Sequence, residues 1–130
     1  MRVKDTIGEY LRIFSWSKEK LINTLIDEGC NPKTAREAVE NYNFDWKKQA
    51  VRAAKSYLGV SLFSYDMLVQ QLEHDGFTHE EALYGADHCE ADWDKQAKAL
   101  AEIYKAYTPY AKELLLLRGF TTAQVERSLQ

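Results

Sequence analysis

Residues 64–78 read Ser-Tyr-Asp-Met-Leu-Val-Gln-Gln-Leu-Glu-His-Asp-Gly-Phe-Thr. Ser64 has the chemistry of a helix N-cap, and Leu68, Val69 and Leu72 form an apolar stripe at helical spacing. Gly76 supplies the left-handed residue on which helices end. Thr78 then opens a second helix, with Glu81 three residues on to complete a capping box. Two helices separated by one glycine and one cap make a helix-turn-helix. The same phrase stands 47 residues earlier, where Ser17, Leu21, Leu25 and Gly29 anticipate Ser64, Leu68, Leu72 and Gly76. There the second helix opens on Asn31-Pro32, an N-cap followed by proline at the first helical position.

The match extends outward without a gap. Tyr10-Leu11 recurs as Tyr57-Leu58, Ala35 as Ala82, Asp45-Trp46 as Asp92-Trp93 and Gln49-Ala50 as Gln96-Ala97. A fixed period of this size marks a repeat architecture. Asp45 and Asp92 cap a longer helix, with Trp46, Ala50, Ala53, Ala54 and Tyr57, or Trp93, Ala97, Leu100, Ala101 and Tyr104, on one face. Leu115, Gly119, Phe120 and Thr121 restate Leu72, Gly76, Phe77 and Thr78, and Thr121 with Gln124 repeats the capping box. The expected fold is all-α: tandem three-helix repeats containing helix-turn-helix units, joined by long helices. The expected division is 1–56, a first repeat with an N-terminal helix, then 57–103, a second, and 104–130, a truncated third. Two prolines and six glycines leave too few breakers for the tight turns of a small β-sandwich or barrel.

The net charge of −3 argues against bulk nucleic-acid binding. It hides a gradient: residues 1–55 carry +3, 56–94 carry −9 without one Lys or Arg, and 95–130 carry +3. A base-reading helix needs donors, yet the second helix of the middle helix-turn-helix offers Glu80, Glu81 and Asp87. A nucleic-acid role is therefore only a minor alternative. No apolar run reaches the roughly 20 residues that span a bilayer, and the stretch from Met1 has no signal-peptide apolar region.

Several strings together resemble the repeat of the host cell surface-exposed lipoprotein (Ltp) family: Ala-Lys-Ser-Tyr-Leu at 54–58, Phe-Ser-Tyr-Asp-Met-Leu at 63–68, Gln-Leu-Glu-His-Asp-Gly-Phe-Thr at 71–78, Glu-Glu-Ala-Leu-Tyr-Gly-Ala-Asp at 80–87 and Ala-Asp-Trp at 91–93. The likeness is closest in the middle repeat and looser in the first, where Cys30 replaces an aromatic. It implies a Gram-positive or prophage origin and the outer face of the cell membrane, reached through an N-terminal lipidated cysteine. It also implies superinfection exclusion, in which entry of a second phage's DNA is blocked. Cys30, inside a repeat, is no lipid-attachment site. The expectation is a soluble part of an anchored protein, with a cytoplasmic relative as the alternative.

The candidate partner-binding residues are the acids of the middle block: Asp66, Glu73, Asp75, Glu80, Glu81, Asp87, Glu90 and Asp94. Glu81 and the nearby Asp92 have capping duties, while a single-sign field on the others would select a basic partner. A basic segment of the phage tail's tape measure protein is the natural ligand. A helical adaptor for a host protein competes, since Gly-Phe-Thr before a capped helix is also similar to ubiquitin-associated-like modules. Trp46, Trp93, Tyr57, Tyr104, Gly29 and Gly76 are assigned to the structural core, and Trp16, aligned with Phe63, to a hydrophobic staple. Leu114–Leu117 is expected to seal the C-terminal end of the array. Cys30 and Cys89 read as two buried thiols, a disulfide between them being the alternative. His74, His79 and His88 lack the spacing of a metal site. With no nucleophile–base pair and no phosphate loop, no catalysis, metal or cofactor is expected.

Overall fold

The computed structural model describes residues 2–130, and those residues form nine helices and no strand. They are α1 (Val3–Ile13), α2 (Lys18–Asp27), α3 (Pro32–Asn41), α4 (Trp46–Leu58), α5 (Tyr65–His74), α6 (His79–His88), α7 (Trp93–Tyr107), α8 (Ala111–Leu117) and α9 (Thr122–Ser128). Capping sets their starts. Ser17, Asn31, Asp45, Ser64, Thr78, Asp92 and Thr121 each accept a backbone N–H of the helix they precede, and Thr78 and Thr121 close full capping boxes. Gly29, Gly76 and Gly119 end α2, α5 and α8 at φ of 103°, 102° and 95°, where any Cβ would be strained.

The helices pack in a different phase from the sequence-based cuts at 56/57 and 103/104. Each long helix shares its core with the two helices that follow it. Ile7, Leu11, Leu21, Ile22, Leu25, Ala35 and Val39 unite α1–α3. Ala50, Ala53 and Ala54 of α4 meet Leu68 and Leu72 of α5 and Ala82 and Ala86 of α6. Ala97, Leu100 and Ala101 of α7 meet Leu115, Phe120 and Val125. The third unit thus has all three helices and its own core, although α8 spans only seven residues and Tyr110 gives it no side-chain cap. Small residues bring α4 and α6 together: a Cβ on Gly85 would lie 2.8 Å from the Ala50 carbonyl oxygen.

The joints between units repeat as well. The Ser17 hydroxyl caps α2 and donates to the Asp75 carbonyl at 2.6 Å, and Ser64 donates likewise to the Arg118 carbonyl. Gly76 and Gly119 follow those carbonyls and leave room for the serines: an added Cβ would sit 2.6 Å from Ser17 Oγ and 3.1 Å from Ser64 Oγ. Gln49, 1% exposed, donates to the Phe14 carbonyl at 2.8 Å, and its counterpart Gln96 accepts the Phe63 N–H at 3.0 Å.

Three local expectations change. Leu115 is buried, but Leu116 and Leu117 are 40% and 82% exposed, so the leucine run does not seal an end. With α8 set by its contacts to α7 and α9, only one leucine of the run faces the core. Cys89 is buried and Cys30 only partly, both as free thiols. Cys30 follows the left-handed Gly29 at the edge of the first core. Trp46, Trp93, Tyr57 and Tyr104 are half-buried at core margins, where Trp46 packs on the first core and Trp93 on the second.

Candidate functional site

In space the acidic block is neither unbroken nor on one face. Glu73, Asp75, Glu80 and Glu81 gather around the α5–α6 turn. Asp87 and Glu90 lie at the far end of α6, about 13 Å away at 1.5 Å per residue. Asp66 is exposed on the first turn of α5, and Asp94 belongs to the third unit.

Most of these carboxylates have a partner. Glu80 pairs with Lys47 at 2.9 Å, Glu90 with Lys55 at 3.6 Å and Asp94 with Arg127 at 2.9 Å. Glu73 meets His79 Nδ1 at 2.7 Å, and Asp87 accepts the Tyr65 hydroxyl at 2.6 Å. Glu81 accepts the Thr78 N–H at 3.0 Å inside the capping box. The bases come from α4 and α9, outside the Lys- and Arg-free stretch, so a linear charge count could not include them. Counted by packed unit, residues 2–44 are neutral, 45–91 carry −4 and 92–130 carry +1. Such exposed pairs contribute little stability, and the −4 of the middle unit remains.

Asp75 has a different role. It caps α5, accepts the hydroxyl of Tyr57 from α4, and accepts Gln71 at 3.2 Å. The first unit repeats this contact, Tyr10 donating to Glu28. In the third the charge is reversed: Arg118 donates to the Tyr104 hydroxyl at 3.0 Å. The recurrence of Tyr10, Tyr57 and Tyr104 at 47-residue steps was visible in the sequence. Their partners, 18 or 14 residues on, carried no such signal because the residue type changes.

Beside these latches lies a cleft between the first two units. One part, about 470 Å³, is bounded by Trp16, Ser17, Glu19, Lys20, Tyr57, His74 and Asp75. A neighbouring part of about 340 Å³ shares Ser15, Trp16, Tyr57 and Asp75 and adds Ala53, Ser56 and Val60. The Lys20 ammonium sits 5.8 Å from the centre of the Trp16 ring, so an aromatic face here already holds a cation.

Burial, and then the Asp75 carboxylate, push Tyr57 up to about 12; burial and Asp87 do the same for Tyr65. A phenol in the unfolded chain ionises near 10. Between about pH 10 and 12 the folded chain therefore keeps protons that the unfolded chain loses, and this stabilisation is complete below 10 and disappears as pH rises to 12. The hydrogen bond to Glu28 raises Tyr10 as well, so phenolate absorbance in an alkaline titration should show Tyr10, Tyr57 and Tyr65 ionising late, with one late phenol fewer in Tyr57→Phe. A titration in which no phenol ionises late would contradict the Tyr57–Asp75 and Tyr65–Asp87 contacts.

Among the described residues, no helix is long and apolar enough to cross a membrane. A family model described as host cell surface-exposed lipoprotein matches residues 45–89, which are α4, α5 and α6, the three helices of the middle core. Comparisons with curated proteins and with solved structures give no match.

Proposed function

We propose, from the match of residues 45–89 to the host cell surface-exposed lipoprotein family, that the chain is a non-enzymatic binding module that blocks phage DNA injection. It does so at the outer face of the cell membrane by holding a cationic segment of a tail component, for which the tape measure protein is the natural candidate. One observation carries the reading: the unit that matches the family is also the one with a net charge of −4, between neighbours at 0 and +1. A field confined to one unit steers a basic partner to it. Lipid attachment would keep the module where an injected protein first emerges.

Plating efficiency on a host displaying the chain with a lipid anchor should fall by orders of magnitude while phage adsorption stays normal. Undiminished plating across a panel of phages would reject the reading, as would a pull-down that captures only a host protein. Charge reversal should avoid Asp75 and Glu81, which hold the latch and the capping box. Lysine at Asp66, Glu73, Glu80 and Glu90, all exposed, is expected to abolish protection with helicity unchanged.

A further inference from the structure

Of the eight large apolar residues that face solvent among those described, three recur at the period of the repeat. Ile13, Val60 and Tyr107 stand 47 residues apart, at or just beyond the end of each unit's first helix, and they are 53%, 83% and 85% exposed. The residues immediately before them are Arg12, Gly59 and Ala106, and those immediately after are Phe14, Ser61 and Thr108. Only the middle position is apolar in all three, and no core explains it.

Three residues before each member of this row stands a latch tyrosine, so a fixed charge accompanies each apolar side chain. The charges are Glu28 held by Tyr10, Asp75 held by Tyr57 and Arg118 held by Tyr104. In the first joint the apolar and charged members line one cleft, where Val60 and Asp75 flank Trp16 and Tyr57.

We infer that this row is the docking track for an amphipathic segment of a partner protein. The segment's apolar side chains seat on Ile13, Val60 and Tyr107, and its Lys or Arg side chains approach Glu28 and Asp75. Its opposite, acidic end meets Arg118. The order acid, acid, base fixes the direction in which the segment lies. This rests on the reading that the partner is cationic and adds a place and a polarity to it.

Other occupants fit less well. An anionic lipid surface would be repelled by Glu28 and Asp75 at two of the three points. A second copy laid antiparallel would pair Glu28 with Arg118 at both ends but set Asp75 against Asp75 at the centre, where the cleft lies.

A fluorescein-labelled helical peptide of two Leu/Lys heptads, and the same peptide with Glu for every Lys, provide the test by fluorescence anisotropy. The Lys peptide should bind the wild-type chain, and the double variant Val60→Ser, Tyr107→Ser should bind it about tenfold more weakly, with unchanged helicity because both residues are exposed. Glu37→Gln, exposed on α3 and off the row, should change that affinity less than about twofold. Equal binding by wild type and double variant overturns the inference, and so does a Glu peptide that binds as well as the Lys peptide. Dimerisation of the chain alone that the double variant abolishes would assign the row to self-association and overturn it too. Phage plating is a separate readout: peptide binding on the row without protection keeps the track and rejects the phage reading.

Discussion

Replacing Gly85 by leucine is expected to cost the chain about 3 kcal/mol, a large share of the roughly 5–15 kcal/mol that holds a domain folded. Ala50, Ala53 and Ala54 on α4 face Ala82, Gly85 and Ala86 on α6, and the closeness of the two backbones depends on the smallness of both faces. Even a single Cβ at 85 would lie 2.8 Å from the Ala50 carbonyl oxygen and 3.1 Å from its Cβ. A leucine there has no void to enter, so α6 must lift away, exposing Ala54 and Ala86 and loosening the fully buried Leu72 beneath. Gly59→Ala is the control, since its Cβ would meet only the Ser56 and Lys55 carbonyls at 3.4 and 3.6 Å, ordinary contact, with φ of −74°. That change should be neutral or stabilise by a few tenths of a kcal/mol, by restricting the unfolded chain. Urea unfolding followed by helicity separates the cases, and a leucine variant within about 1 kcal/mol of wild type would mean that α4 and α6 do not meet so closely.

This contact also explains what the repeat could not reveal. In an order long helix, helix, helix, long helix, a period of 47 residues fits two groupings equally well: the long helix with the pair before it or with the pair after it. Caps at Ser17, Asp45, Thr78 and Asp92 locate helix starts, but they are local and say nothing about which helices share a core. The complementary small faces of α4 and α6 settle the grouping, and both faces were present in the sequence as alanines and a glycine. Loop length misleads here, because a Gly-plus-cap turn binds α5 to α6 so evidently that the longer partner is sought on the wrong side.

The functional surface was less legible for a related reason. The run of acids from Asp66 to Asp94 is an accurate statement about the chain and a poor one about the surface. Lys47 and Lys55 on α4 cross to Glu80 and Glu90, and Arg127 returns from α9 to Asp94. Conversely, Ile13, Val60 and Tyr107 pass for ordinary members of apolar stripes until their exposure is known. Amphipathic periodicity assigns faces to helices, and at a helix end, where the chain turns, it stops predicting burial.

The joint between units can be weighed by comparing three glycines. Gly29, Gly76 and Gly119 share the left-handed conformation, so alanine at each bears the same backbone strain, about 1–2 kcal/mol. Their surroundings differ. A Cβ on Gly29 meets nothing within 4 Å, while one on Gly76 lies 2.6 Å from Ser17 Oγ and one on Gly119 lies 2.9 Å from Asp66 Cβ. Gly29→Ala is thus expected to cost only the strain. Gly76→Ala adds the displacement of a serine that is 1% exposed and spans the joint with one bond accepted and one donated, for a total of about 3 kcal/mol. The excess belongs to the pair, so it should largely vanish in a Ser17→Ala background, where no oxygen remains to be displaced. A double-mutant cycle should then report a coupling of about 1 kcal/mol, and additive losses would show that Ser17 and Gly76 are not in contact. Because neighbouring repeats stabilise one another only across their interfaces, the same Gly76→Ala change should also broaden or split the unfolding transition, while Gly29→Ala shifts it without changing its shape.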